Sequence, residues 1–125
     1  MWAMRLGFLI FALFVSPVAA AENLYVVCDN GLRCVKAPCP SSTMRNLETG
    51  EEFRGVAPDI AGLSDADQQR IRETDALYYG RLVLSGHTEN REQDIAGKRQ
   101  SLPVLVITGI ARESTAAERR HCRAG

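Results

Sequence analysis

Three of the chain's four cysteines fall within the twelve residues Cys28 to Cys39, and no other feature constrains the fold as much. The segment Cys28-Asp29-Asn30-Gly31-Leu32-Arg33-Cys34-Val35-Lys36-Ala37-Pro38-Cys39-Pro40 holds an Asn-Gly turn signal and an Ala-Pro-Cys-Pro corner. A backbone that bends this often cannot lay down a long hydrogen-bonded ladder of its own, so covalent staples are the natural way to hold it. Four cysteines allow three pairings. Cys34 and Cys39, separated by four residues that include a proline, lie within reach of one disulfide, and Cys28 would then tie to Cys122 and hold the C-terminal tail to the first strand. The competing arrangement joins Cys28 to Cys34 across the Asn-Gly turn and leaves Cys39 for Cys122.

Disulfides require an oxidising compartment, and the N-terminus points the same way. Arg5 is the only charge before Glu22, and Leu6 to Val15 is an apolar run broken by Pro17. Ala19-Ala20-Ala21 follows with the small-x-small pattern of a signal-peptidase site, so residues 1–21 read as a signal peptide and 22–125 as one β-rich domain. The run is shorter than the ~20 residues of a spanning helix, so no stable membrane anchor is expected after cleavage. The expected location is the periplasm or outside the cell.

Losing Arg5 leaves 14 basic against 15 acidic residues from the balanced 15 and 15 of the full chain. There is no general field to recruit nucleic acid. The mature aromatics are Tyr25, Phe53, Tyr78 and Tyr79, too few to supply both a core and a base-stacking platform. No nucleic-acid partner is expected. An extracytoplasmic protein is the partner that the compartment offers, and the chain itself reads as a monomer.

Leu24-Tyr25-Val26-Val27-Cys28 reads as a strand, Leu32 to Val35 as its short return, and Thr43–Leu47 with Glu52–Val56 as a hairpin about Gly50. Ser64 is an N-cap, with Asp65 and Asp67 in the first turn of a helix running to about Asp75. Ala76–Gly86 and Leu102–Ala111 are the two strongest strand patterns, separated by a polar stretch from His87 to Ser101 that reads as a mobile loop. Thr115-Ala116-Ala117-Glu118 is a capping box opening a short terminal helix. Strands, helix, strands is the order of a small, disulfide-stapled β fold: an OB-like or open β-barrel with one or two short helices. The alternative is an α+β sheet with one helix on a face.

Arg33-Cys34-Val35-Lys36-Ala37-Pro38-Cys39-Pro40-Ser41, Asn46-Leu47-Glu48-Thr49-Gly50-Glu51, and Gly80-Arg81-Leu82 leading to Leu105-Val106-Ile107-Thr108 resemble a domain of unknown function in secreted bacterial proteins. The resemblance implies export, a paired Cys34/Cys39 corner and a compact β-rich fold. It supplies no catalytic or ligand-binding residue, and Cys28 and Cys122 stand outside it.

Catalytic chemistry finds few parts. His87-x-Glu89 lacks the later Pro-Cys-x-x-Cys that zinc deaminases need, since Pro38-Cys39-Pro40 comes earlier. His121-Cys122 would suit a soft metal only if reduced. No Gly-x-Ser-x-Gly elbow or phosphate-cradling glycine loop is present. No catalytic, metal or cofactor site is therefore assigned, and a small hydrolytic enzyme ranks last. A non-catalytic binding or structural module comes first. Between them stands a protease inhibitor, in which Val35-Lys36-Ala37-Pro38 on the Cys34–Cys39 loop would present Lys36 as a pre-organised, substrate-like residue.

Overall fold

In the computed structural model, described for Gly7 and for residues 22–35 and 39–122, six strands share one sheet. The elements are β1 (Asn23–Asp29), β2 (Ser42–Asn46), β3 (Glu52–Arg54), β4 (Ala57–Asp59), α1 (Asp65–Glu73), α2 (Ala76–Tyr79), β5 (Leu82–Ile95) and β6 (Lys98–Glu113). Their order across the sheet is β3-β2-β1-β5-β6-β4. All neighbours are antiparallel except β4, which runs parallel to β6 with Ala57 opposite Val104. The fold is mainly β, with two short helices among the described residues and two disulfides. The expected signal peptide lies outside the described residues, Gly7 apart.

The two edge strands, β3 and β4, are separated in the chain only by Gly55 and Val56. A sheet whose opposite edges are joined by two residues must curl until those edges meet. The ladder nevertheless does not close by hydrogen bonds: β3 pairs with β2, β4 pairs with β6, and the circuit is completed covalently through the bend. The six strands form an open sheet that is not closed into a barrel, with β3 and β4 as two halves of one broken strand. Gly55 makes the break. Its φ of +83° is the left-handed region, and a Cβ there would lie 2.9 Å from the Cβ of Pro40.

β1 is buried on both faces. Tyr25 and Val27 point into the main core with Met44, Leu84, Leu105 and Ile107, while Val26 and Cys28 point the other way and are equally buried. Their cover is Gly80 and the C-terminal segment. Removing a fully buried side chain such as Leu105 by substitution with Ala costs on the order of 2–5 kcal/mol. Helix α1 begins at Ser64, whose side chain accepts from the Asp67 N–H, and it contributes Ile71 to the core.

Four local expectations are corrected. Leu32 to Val35 is not a return strand: Asp29 and Asn30 side chains accept from the N–H groups of Gly31 and Leu32 and hold the backbone in turns instead. The end of β1 is tied to the chain entering β2: the Asn30 N–H donates to the Ser41 carbonyl and the Asn30 amide donates to the Pro40 carbonyl at 2.7 Å. Ala76–Tyr79 is a helical turn rather than the start of a strand. Asp75 and Gly80 bracket it in left-handed conformations, and the Gly80 N–H closes on the Ala76 carbonyl. Tertiary burial of Ala76 overrides the aromatic strand signal.

His87 to Ser101 is not a loop. β5 and β6 continue through it as a long hairpin that turns at Ala96 and Gly97, both at positive φ as a type I′ turn requires. Its outer part is largely exposed on both faces, so no apolar alternation marks it in the sequence. Last, the capping box after Thr115 forms, with the Thr115 N–H donating to Glu118 and the Glu118 N–H to Thr115 Oγ1, but only successive turns follow as far as Cys122.

Candidate functional site

Both disulfides join the cysteines by the first of the pairings considered: Cys34 with Cys39, Cα atoms 5.4 Å apart, and Cys28 with Cys122, 5.6 Å apart. The sulfurs of Cys28 and Cys122 lie near the His121 ring, in a group with metal-site spacing. Both are consumed in the disulfide, so neither is a thiolate ligand. His121 Nε2 lies 3.3 Å from the Val26 carbonyl. Glu89 does not join His87 in a metal set; its carboxylate accepts from Arg91 at 2.6 Å.

In the loop marked for recognition, Val35 is fully exposed. Lys36, Ala37 and Pro38 lie outside the described residues. Arg33, just before the disulfide, bonds back to the Asp29 carboxylate at 3.1 Å, which raises its pKa further.

The broken strand positions a concavity that the sequence did not reveal. β3 follows β2 while β4 follows β6, so the sheet splits at Gly55 and Val56. The outer hairpin stands on one side of the split and the Cys34–Cys39 corner on the other. A cleft of about 680 Å³ lies here, with Pro40 and Ser42 on the corner side, Arg54 to Pro58 beneath, and Gln93, Ile95 and Leu102 on the hairpin side. A smaller hollow of about 220 Å³ flanks the same split, between Phe53 on β3 and Thr88 and Asn90 on β5. The first volume falls within the ~300–1,000 Å³ of ordinary ligand sites.

The hairpin is braced over the split. Arg91 on β5 donates to the Asp59 carboxylate on β4 at 2.6 Å. The backbone N–H of Ala61 and the Arg91 guanidinium together hold the Asp59 pKa below its ordinary value. Among the described residues, Arg54 is the one ionisable side chain in the larger cleft's wall, and no ion pair engages it. The rest of the described wall is proline, aliphatic, hydroxyl, amide and the disulfide-bonded Cys39, a surface suited to holding a ligand rather than to exchanging protons with it.

Sequence reasoning placed the corner and missed the cleft, because the hairpin wall reads as a loop and the break at Gly55 as the end of an ordinary hairpin. Comparisons with family models, with curated proteins and with solved structures found no match to this chain.

Proposed function

We propose that this protein is an extracytoplasmic, non-catalytic binding module that holds its ligand in the cleft between the Cys34–Cys39 corner and the β5–β6 hairpin. The observation that carries the reading is the split at Gly55: a concavity between two braced walls, with one unpaired cation and no acid–base pair among the described residues of its lining. Two disulfides fit an oxidising compartment, and no helix among the described residues is long and apolar enough to cross a membrane. Export to the periplasm or the medium, with cleavage before Glu22, completes the reading, in keeping with the resemblance to secreted bacterial domains. The mature chain acts as a monomer.

The test is a heteronuclear NMR screen of the oxidised mature chain against separate pools of linear peptides and oligosaccharides. Shifts clustered at Ser42, Arg54, Gln93 and Leu102 are expected from at least one pool. Perturbations confined to other surfaces, or none from any pool, would overturn the reading.

The exposure of Val35 beside a formed disulfide favours a second reading, a protease inhibitor that inserts this loop into an active site. Slowing of a trypsin-like protease by the wild-type protein, abolished in Lys36→Ala, would establish it. Unchanged protease activity at micromolar protein removes it.

A further inference from the structure

We infer that the occupant of the cleft is an extended peptide bearing an acidic side chain, added as a strand between β3 and the outer part of β6; this rests on the reading of the cleft as the binding site.

Among the described residues, the split leaves two strand edges without partners. β6 pairs with β5 from Lys98 onward but meets β4 only from Val104 to Val106, so Lys98–Pro103 keeps one open edge. β3 pairs with β2 on one side and with no described residue on the other. Carried three residues back, the parallel register of Ala57 with Val104 would set Arg54 opposite Ser101. Instead the bend at Gly55 swings β3 onto β2 and opens a gap at the place where the barrel would otherwise close.

Open edges carry alternating N–H and C=O groups, and a polypeptide backbone is the ligand that satisfies such groups in sequence. The six residues Lys98–Pro103 span ~20 Å of strand, enough for a peptide of about six residues. Among the described residues the wall of this cleft has no aromatic ring on which a sugar or base would stack. Arg54 lies in the floor without an ion-pair partner among the described residues, so it favours a carboxylate in the bound segment. A second copy of this chain fits less well than an acidic peptide, because Lys98 and Arg99 would bring like charge to both paired edges.

The experiment uses the oxidised mature protein, ¹⁵N-labelled, and pools of linear hexapeptides carrying a fixed central Glu, a fixed central Lys, or the Glu series with alternate backbone amides N-methylated. The Glu pools are expected to shift the amides of Arg54 and Ser101, with affinity weakened about tenfold or more by N-methylation. Arg54→Glu, a change on an exposed strand position, is expected to transfer the preference to the Lys pools. Equal binding of N-methylated and parent peptides would overturn strand addition while leaving the cleft a binding site. So would binding of oligosaccharides in place of any peptide. Shifts from no peptide pool overturn the inference outright.

Discussion

Gly80 lies directly against Cys122: a Cβ at Gly80 would stand 2.7 Å from the Cys122 sulfur and 3.2 Å from the Cys28 Cβ. The disulfide packs onto a glycine that also holds φ at +68° to end α2. Steric and conformational demands coincide there. Gly80→Ala is expected to destabilise the fold by about 2–4 kcal/mol, through left-handed strain together with overpacking. Gly50→Ala, at φ +76° with nothing within 4 Å, isolates the strain alone and should cost about 1 kcal/mol. Urea midpoints of the two variants measure the difference; equal losses would show that the contact with Cys122 is unimportant.

The two disulfides stabilise unequally. Cys28–Cys122 spans 94 positions and Cys34–Cys39 only 5, so on the chain-entropy model the first contributes about 4–5 kcal/mol and the second about 2 kcal/mol. Urea unfolding of Cys28→Ala/Cys122→Ala and of Cys34→Ala/Cys39→Ala, with m held constant, should give losses in that order. The second variant should also weaken any ligand of the cleft, because Pro40 rests on Gly55 from the corner that this disulfide closes. A larger loss from the shorter loop would contradict the model.

Glu118 gives the fold a pH dependence of known sign. The Arg112 guanidinium grips its carboxylate at 2.7 and 2.8 Å, and the Thr115 N–H adds a further bond, lowering its pKa to about 2. An unfolded Glu titrates near ~4.3. The folded form thus binds its proton later, and the stabilisation is complete above about pH 4.3, then lost as the pH falls through about 2. Glu118→Gln should remove this part of the acid sensitivity and shift the urea midpoint modestly at neutral pH. A variant with the same stability-versus-pH curve as wild type below pH ~4.3 would refute the assignment.

Export should leave Glu22 as the first residue. The apolar run from Leu6 and the Ala19-x-Ala21 pattern place cleavage there. N-terminal sequencing of protein recovered from the periplasm or medium checks it, and an intact Met1 would contradict it.

Where local chemistry decides structure, the sequence sufficed. Asn30-Gly31 bends the chain, Ser64 caps α1 through the Asp67 N–H, the hairpin over Gly50 forms between β2 and β3, and Cys34 bonds Cys39 because so short a loop brings them together. Even the long-range bond from Cys28 to Cys122 follows once the near pair is assigned. Three features needed the folded chain. Ala76–Tyr79 carries strand-forming residues, and only its seat between two left-handed positions, with Ala76 buried, makes it helical. The outer hairpin is polar on both faces, so periodicity is silent, and its ladder depends on a partner strand met after the turn at Ala96 and Gly97. The cleft follows from the conflict at Gly55, where one strand segment serves two neighbours, β2 before the bend and β6 after it. Turns, caps and short disulfides are decided over a few residues; which strand edges stay unpaired is decided only when all six strands compete for the same neighbours.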